Sequence, residues 1–282
     1  MTTPTAVPML SGNGANIPAV GLGTSGLRGP DCQRAVETAL AVGYRHVDTA
    51  VMYGNEVEVG QALKASGVKR KDAFVTTKVL PGDIGPGDLQ KSARGSLQRL
   101  GLDQVDLLLI HWPNTAIPLA GSIAALCETK MQGLARHIGV ANFPTALLAQ
   151  AVELAASHGE KLSANQCEYH PRLDQTKLLA ACRAQGIIFV SYCPVGKGGY
   201  HGDPVVSAIA RRINKSPAQV VLRWHLQQTG VAAIPRSGQR AHLMENIDVF
   251  DFALTEADMK AISGLATPGG RLVRPPMAPQ WD

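Results

Sequence analysis

Four polar side chains in the first half of the sequence, those of Asp48, Tyr53, Lys78 and His111, could act together on a carbonyl group. A free tyrosine has a pKa of about 10 and is a weak acid at neutral pH. A nearby ammonium group favours the phenolate, so we expect Lys78 to lower the pKa of Tyr53, with Asp48 holding Lys78 charged and in place. His111 can hydrogen-bond the substrate oxygen while negative charge develops on it. These residues therefore predict a site for carbonyl reduction in which Tyr53 supplies the proton.

All four residues lie near the ends of short apolar segments that the sequence predicts to be β-strands. Asp48 lies at the end of the second segment, with Tyr53 in the loop that follows, whereas Lys78 and His111 end the third and fourth. Apolar strands without strict alternation are typical of a parallel sheet that is covered on both faces. The predicted strands are residues 19–22, 46–49, 74–78, 106–112, 137–140, 165–169, 187–192 and 232–235.

Amphipathic segments alternate with these strands and predict a single (β/α)8 TIM barrel domain over residues 1–282. The carboxyl ends of barrel strands meet at one rim, so the four side chains should converge there. We also predict an N-terminal β-hairpin at 8–18 that plugs the opposite end, and a C-terminal tail, 269–282. The predicted helices are residues 31–42, 54–66, 87–100, 120–133, 145–157, 174–185, 217–228 and 255–265.

Gly21, Gly23 and Gly26 formally match a dinucleotide-binding motif and offer an alternative interpretation. In a Rossmann fold such glycines open a helix whose N-terminus meets a pyrophosphate. Here residues 28–31 intervene before the next predicted helix, so the glycines do not open it. We therefore interpret them as a tight strand-to-helix loop beside the rim of the barrel.

Composition and charge narrow the class of protein. The chain has a formal net charge of +5, and its densest basic cluster, residues 69–71, is too short to predict a nucleic-acid-binding surface. The five cysteines are scattered without a CxxC spacing, which predicts reduced thiols and neither a disulfide framework nor a metal site. The first eight residues lack the features of a secretion signal, and no apolar run approaches a membrane span. We therefore expect a cytoplasmic protein with no membrane or nucleic-acid partner.

Six stretches occur in a fixed order along the chain. They are GYRHVDTAVMYGNE at 43–56, TTK at 76–78, LLLIHWP at 107–113, IGVANF at 138–143, NQCEYHP at 165–171 and IPRS at 234–237. The first is highly specific, and the ordered set closely resembles the aldo-keto reductase family from about residue 17 to residue 282. The length and short loops are similar to those of compact bacterial members such as the 2,5-diketo-D-gluconate reductases. The resemblance implies a monomer that reduces a small carbonyl substrate with NAD(P)H.

The resemblance also implies which residues bind the cofactor and the substrate. Asn142 and Gln166 would hold the nicotinamide carboxamide, and Tyr192 would stack on the ring. The implied substrate contacts are Ser25, Met52, Tyr53, His111 and Trp112. The implied cofactor contacts are Gly23, Thr24, Asp48, Asn142, Gln166, Tyr192, Cys193, Pro194, Val195, Gly196, Ile234, Pro235, Arg236, Ser237, His242, Glu245 and Asn246.

Four positions depart from the residues that are commonest in the family. Ser25 replaces a frequent aromatic residue, which predicts a wider or more polar substrate pocket, and Ala141 replaces a frequent serine beside the carboxamide. Arg236 stands where lysine is usual and can bind a phosphate through two nitrogen atoms. His242 stands where a second arginine is frequent, and a neutral imidazole attracts phosphate less. We expect NADPH to be preferred, and the use of NADH stays open.

Two functions from other classes stay open at this point. One is a noncatalytic barrel that binds nucleotide as a redox sensor or as a subunit associated with a channel. The other is a barrel isomerase or aldolase in which Lys78 forms a Schiff base with the substrate. The presence of both Tyr53 and His111 favours reduction over these alternatives. The tail is predicted either to pack on the surface or to form one wall of the substrate pocket.

Overall fold

The short apolar segments of the sequence form strands in the computed structural model, which describes residues 7–282. Residues 1–6 lie outside the described residues. They belong to the predicted domain and to the N-terminal segment in which the sequence shows no features of a secretion signal. The strands are β1 (Met9–Gly12), β2 (Ala15–Pro18), β3 (Leu22–Gly23), β4 (His46–Asp48), β5 (Phe74–Val79), β6 (Val105–Ile110), β7 (Ala135–Ala141), β8 (Ala164–Glu168), β9 (Ile188–Tyr192) and β10 (Val231–Ala233).

Strands β3 to β10 form one sheet whose hydrogen-bonded order follows the order of the chain. All neighbouring pairs in it are parallel. A parallel bridge between Val20 and Ala233 joins the start of the sheet to its last strand. At this junction a Cβ atom on Gly23 would lie 2.8 Å from the carbonyl oxygen of Ile234, so only glycine allows the two segments to approach so closely. The predicted (β/α)8 fold is confirmed.

Helices lie between the successive strands of this sheet and after its last strand, and two of them were not predicted. The missed helices are α7, which begins with Pro204 behind an Asp203 N-cap, and α9, which has only eight residues. The predicted capping box of Thr255 and Asp258 begins the last helix. The helices are α1 (Gly29–Ala41), α2 (Glu56–Ala65), α3 (Asp88–Leu100), α4 (Leu119–Met131), α5 (Thr145–Ser157), α6 (Thr176–Ala184), α7 (Pro204–Ile213), α8 (Pro217–Leu226), α9 (Arg240–Ile247) and α10 (Glu256–Ser263).

The buried residues of the strands divide into two apolar clusters, one on each face of the sheet. In β6, Leu107 and Leu109 belong to the inner cluster, whereas Leu108 and Ile110 pack with the helices. Because both faces need apolar side chains, the strand shows no alternation of polar and apolar residues. The hairpin of β1 and β2 adds Ile17 to the inner cluster, as expected for a plug at the amino-terminal end of the barrel.

The loop at Gly21, Gly23 and Gly26 does not open a helix, because α1 begins only at Gly29. The Rossmann interpretation therefore fails: Gly21 precedes β3, Gly23 ends it, and Gly26 lies in the loop between β3 and α1. Among residues 7–282, no helix is long and apolar enough to cross a membrane. Within the same residues, no cluster of three or more His, Cys, Asp and Glu side chains is arranged to hold a metal ion.

Candidate active site

The ammonium group of Lys78 lies at the centre of the candidate site, at the carboxyl end of β5. Its side chain is 0% exposed, and Nζ donates hydrogen bonds to Asp48 Oδ1 at 2.6 Å and to the Thr49 carbonyl at 2.9 Å. A third hydrogen bond, 3.2 Å long, joins Nζ to the hydroxyl of Tyr53. A charge buried this deeply is stable only when it is paired and hydrogen-bonded. The sequence thus encodes a fully satisfied buried cation in contact with a phenol.

Tyr53 reaches this cation from the short 3-10 turn that follows β4. Its ring lies edge-on to the imidazole of His111, with the ring centroids 5.6 Å apart and an interplanar angle of 82°. Arg28 donates a hydrogen bond to the Tyr53 carbonyl at 3.0 Å, which holds the turn in place. The structure therefore brings the four predicted residues together from three neighbouring βα units, at the rim where barrel sites form.

The pKa of Tyr53 differs in direction from the sequence-based expectation. Burial raises the pKa of Tyr53, and this effect exceeds the lowering by Lys78, while Asp48 adds a smaller rise. The contribution of Lys78 has the predicted sign, but the predicted net decrease was wrong because the sequence does not reveal how completely the phenol is removed from water. Burial lowers the pKa of Lys78, yet Asp48 and Tyr53 overcome it and the net pKa is raised. At neutral pH the site therefore holds a protonated phenol beside a charged ammonium.

His111 is a neutral imidazole in this arrangement. Burial, followed by the charge of Lys78, lowers the pKa of His111 well below its usual value. Its Nδ1 atom is buried and makes no hydrogen bond with the described residues. A neutral imidazole has one N–H group, and when the proton is on Nε2 it can be donated to an oxygen atom.

Three further predicted residues connect directly to this group. Gln166, in β8, donates from Nε2 to Asp48 Oδ2 at 2.7 Å. Asn142 follows β7 with a positive φ of 63°, donates from Nδ2 to the His111 carbonyl and accepts a hydrogen bond from the Tyr192 hydroxyl at 2.9 Å. Two amide side chains and one aromatic ring, from β8, β9 and the residue after β7, thus lie beside the four residues Asp48, Tyr53, Lys78 and His111, which we call the tetrad.

Asn55 supports the site and was not identified from the sequence as a functional residue. Its side chain is fully buried and donates from Nδ2 to the carbonyls of Thr24 and Leu27. Its Oδ1 accepts the hydroxyl proton of Thr49, whose own carbonyl receives Lys78. Asn55 therefore ties the loop after β3 to the segment that positions Lys78. The local pattern around Asn55 did not reveal this role, because two of its three side-chain partners are backbone carbonyls about thirty residues earlier in the chain.

The remaining predicted cofactor residues follow the carboxyl ends of β3, β9 and β10 or lie in α9, which contains His242, Glu245 and Asn246. The segment 193–198 follows β9 and has positive φ values at Cys193, Gly196, Lys197 and Gly198. Tyr200 packs so closely on Gly196 that a Cβ atom there would lie 2.7 Å from its ring. Of the others, Thr24, Pro194, Ile234, Pro235, Ser237 and Asn246 are buried, Val195 and Glu245 are partly exposed, and Arg236 and His242 are exposed.

The predicted substrate contacts border the tetrad unevenly. Trp112 is buried directly after His111, whereas Ser25 and Met52 are exposed at the rim. The structure gives neither of these two a contact with the tetrad that would test its role. Both stay predictions.

Glu168 was missed as a functional candidate, although it lies in one of the six stretches. Its carboxylate is fully buried at the end of β8 and accepts the backbone N–H groups of Leu272 at 2.5 Å and Val273 at 3.0 Å. The Oε1 atom of Glu168 also lies 3.1 Å from His170 Nε2. At the far end of the tail, Asp282 accepts hydrogen bonds from Thr145 at the start of α5. The tail is therefore fixed at two points across the carboxyl ends of the strands.

Comparisons with known proteins agree with this architecture. The chain matches the Aldo/keto reductase family over residues 19–267. An aldo-keto reductase of Mycolicibacterium vanbaalenii is 42% identical over 267 residues, covering 94% of each chain. A crystal structure of a protein proposed to be a 2,5-diketo-D-gluconic acid reductase B superposes with a TM-score of 0.93 at 43% identity, covering 98% of each chain. An aldo-keto reductase of Bombyx mori, solved in complex with NADP, gives a TM-score of 0.85 at 32% identity, covering 93% of this chain and 94% of the other.

The fold and the site thus define a (β/α)8 barrel with a buried lysine, aspartate and tyrosine cluster at its rim. The chain belongs to the aldo/keto reductase family, whose members are oxidoreductases that generally reduce carbonyl compounds with NAD(P)H. The predicted family is confirmed, and so is the likeness to the 2,5-diketo-D-gluconate reductase type.

Proposed function

We propose that the protein reduces aldehydes or ketones to alcohols with a nicotinamide cofactor, and that Tyr53 is the proton donor. The observation that carries this proposal is the buried Lys78 ammonium, which contacts the Asp48 carboxylate and the Tyr53 hydroxyl at the same time. This single cluster supplies both the proton donor and the cation that can stabilise the phenolate. The membership in the aldo/keto reductase family supports the same reaction class.

Tyr53 can act as an acid because it keeps its proton until a strong base appears. Its raised pKa, caused by burial, holds the phenol protonated at neutral pH. An alkoxide that forms on a reduced carbonyl is far more basic than a phenolate, so the proton moves from Tyr53 to the alcohol oxygen. The adjacent Lys78 ammonium then stabilises the phenolate left behind. Asp48 keeps Lys78 charged, so the stabilising group is in place before the reaction begins.

His111 complements the acid by orienting the carbonyl. A neutral imidazole that carries its proton on Nε2 can donate a hydrogen bond to the carbonyl oxygen without competing as a second strong acid. The edge-on contact between the rings of His111 and Tyr53 keeps the two donors next to each other. The substrate oxygen would thus be held between two hydrogen-bond donors.

The described residues fit a dinucleotide cofactor that runs from the tetrad toward α9. Asn142 and Gln166 offer amide groups suited to a carboxamide, and the partly exposed ring of Tyr192 offers a stacking surface. The backbone between Cys193 and Gly198, which has positive φ values at Cys193 and at 196–198, is suited to a pyrophosphate. When bound, the nicotinamide supplies the hydride that these side chains cannot provide. The exposed Arg236 would meet a phosphate at the adenosine end.

The same geometry disfavours a Schiff-base mechanism. A lysine that attacks a carbonyl must first lose its proton, but Asp48 and Tyr53 keep the pKa of Lys78 raised. Borohydride treatment in the presence of substrate is therefore expected to leave Lys78 unmodified.

Three expectations from the sequence stay predictions. They are a single domain over residues 1–282, a monomeric state and a location in the cytoplasm.

The reaction is tested with a panel of aldehydes, α-diketones, keto sugars and keto acids, assayed with NADPH and with NADH by the loss of nicotinamide absorbance. At least one substrate class is expected to support turnover in the ordinary range of about 1 to 10³ per second. A noncatalytic nucleotide-binding barrel would bind the cofactor but consume it with none of the four classes. That result would contradict the proposal.

We further propose that NADPH is the preferred cofactor, because Arg236 can bind a phosphate through two nitrogen atoms. The exposed His242 contributes less, so we expect the His242→Arg variant to raise kcat/KM for NADPH by about three- to tenfold while kcat/KM for NADH stays nearly constant. Steady-state kinetics with both cofactors check this expectation. A wild-type kcat/KM that is lower for NADPH than for NADH would overturn the preference.

A further inference from the structure

The loop between β9 and α7, residues 193–203, contains the backbone proposed above to meet the pyrophosphate. We call it the β9–α7 loop. Cys193 and Lys197 have positive φ values of 51° and 55° in it, a conformation that costs free energy for residues other than glycine. Contacts with the rest of the chain must therefore hold this backbone in place.

The start of the loop is fixed to α8 by a buried histidine. Nε2 of His225 lies 3.1 Å from the carbonyl oxygen of Pro194. Burial lowers the pKa of His225 to about 3, so the ring is neutral. Because a carbonyl can only accept, the proton lies on Nε2 and is donated to Pro194. This contact precedes residues 196–199 and does not fix them.

Tyr200 holds the far side of the loop. Its ring packs under Gly196, where a Cβ atom would lie 2.7 Å away. The hydroxyl of Tyr200 lies 3.2 Å from His170 Nδ1 and accepts the backbone N–H of Arg172 at 3.1 Å. Burial raises the pKa of Tyr200 to about 12, so the hydroxyl keeps its proton and can donate and accept at once.

The hydroxyl of Tyr200 belongs to a chain of hydrogen bonds that ends on a buried carboxylate. His170 Nε2 lies 3.1 Å from Oε1 of Glu168. With its proton on Nε2, His170 donates to Glu168, and Nδ1 accepts from Tyr200. All three side chains are buried, so breaking this chain leaves polar groups unpaired away from water.

The side chain of Arg172 adds a second connection to the same part of the loop. Its Nη2 atom donates to the Gly199 carbonyl at 3.1 Å and to Asp203 Oδ2 at 3.3 Å. Its guanidinium also lies over the ring of Tyr200, 5.0 Å from the centroid. Residues 196–203 are thus joined to the segment 168–172 by both side chains.

The segment 168–172 is a fixed support because the tail region holds it from the other side. Glu168 accepts the backbone N–H groups of Leu272 and Val273, and the Thr267 N–H donates to the Arg172 carbonyl at 3.2 Å. Tyr200 is therefore bound to a part of the barrel that cannot follow the loop if the loop moves.

We propose that Tyr200 is a positioning residue for the cofactor. It holds residues 196–199, through His170 and Arg172, in the conformation that binds the pyrophosphate, and it thereby slows the release of the nucleotide. This inference rests on the proposed function, because it places the nucleotide along the β9–α7 loop. Tyr200 was not among the cofactor contacts implied by the sequence, and it acts through the backbone at Gly196.

The Tyr200→Phe variant keeps the ring under Gly196 and removes both hydrogen bonds of the hydroxyl. The loop then spends more time in conformations that do not bind, so we expect the Kd and the dissociation rate constant of NADPH to rise about five- to tenfold. The kcat at saturating NADPH should stay within about twofold of the wild type, because the tetrad is unchanged. A purely structural role would lower the melting temperature and leave the release of NADPH unchanged. Fluorescence titration, stopped-flow displacement of NADPH and steady-state kinetics measure these quantities.

Two further variants complete the test. The Arg172 side chain is 44% exposed, so Arg172→Met should fold, and the loss of its contact with Gly199 is expected to raise the dissociation rate constant about two- to fivefold. Tyr169→Phe removes the hydroxyl of another buried tyrosine, which donates to Gln228 and not to the loop. Its Kd and dissociation rate constant should equal those of the wild type.

The outcomes separate this inference from the proposed function. If the wild type binds neither NADPH nor NADH, both are overturned. If it binds a nucleotide but Tyr200→Phe releases it at the wild-type rate, or Tyr169→Phe shows an equal increase, the positioning role alone is overturned. Should Tyr200→Phe not fold, an unchanged dissociation rate constant in Arg172→Met has the same consequence.

Discussion

The Tyr53→Phe variant is expected to bind NADPH with nearly unchanged affinity while kcat for aldehyde reduction falls by about 10³-fold, since removal of a general acid typically costs 10²- to 10⁴-fold. The change removes only the hydroxyl group and keeps the aromatic ring against His111. Lys78 keeps its two stronger hydrogen bonds, to Asp48 and to the Thr49 carbonyl. The loss should therefore appear in the chemical step and not in folding.

Tyr169→Phe provides the matched control for this experiment. Tyr169 is also a buried tyrosine whose hydroxyl donates one hydrogen bond, to Gln228 at 2.8 Å, but it has no contact with the tetrad. Its variant is expected to keep kcat within about twofold of the wild type, although one neutral hydrogen bond worth about 1 kcal/mol is lost. Steady-state kinetics and a fluorescence titration with NADPH measure both quantities. Near-normal turnover of Tyr53→Phe would remove Tyr53 as the acid.

Replacing Lys78 with methionine is expected to have the second large effect, on activity and on stability together. The variant leaves the buried carboxylate of Asp48 without its cation, and breaking one side of a buried ion pair typically costs about 3 to 5 kcal/mol. The uncompensated Asp48 charge also raises the pKa of Tyr53 further and leaves its phenolate unstabilised. We expect kcat to fall by about 10²-fold or more and the melting temperature to drop clearly.

The double variant Asp48→Asn with Lys78→Met separates these two effects. Removal of both charges eliminates the unpaired carboxylate, so part of the lost stability should return while activity stays low. Thermal unfolding and kcat are measured on the wild type, the two single variants and the double variant. If the double variant regained activity along with stability, Lys78 would act only through folding.

Much of the site could be predicted because the topology of a parallel barrel is simple. Asp48, Lys78 and His111 lie within one residue of the ends of three consecutive strands, and parallel strands place their carboxyl ends at a common rim whatever the rest of the chain does. The side-chain types then indicate the chemistry. This reasoning needs only local patterns, so it identified the tetrad without knowledge of any long-range contact.

The errors arose where burial or distant contacts decide the outcome. The pKa of Tyr53 is raised because the folded chain removes the phenol from water, and spacing alone carries no such information. Glu168 was overlooked because its partners, the tail amides, lie about a hundred residues further along the chain. α7 is an exception, because the Asp203-Pro204 start and the apolar spacing that follows are ordinary local helix signals that were overlooked.

The C-terminal tail also shows the difference between what local sequence patterns reveal and what distant contacts decide. The sequence left two interpretations open, a surface extension or a wall of the pocket. The structure anchors it at Glu168 and at the start of α5, so it lies across the carboxyl ends of the strands at fixed points. Its side chains border a cavity of about 560 Å³ between the tail and the segment that leads into α6, which neither interpretation predicted.

The central claim, transfer of hydride to a carbonyl carbon with a proton from Tyr53, is tested most directly by isotopic labelling. The best substrate of the panel is incubated with NADPH that carries deuterium at the transferable position, and the alcohol is examined by mass spectrometry and NMR. We predict deuterium on the former carbonyl carbon with the wild type, and its formation about 10³-fold more slowly with Tyr53→Phe. An alcohol without deuterium on that carbon, or equal rates for the two proteins, would contradict the account.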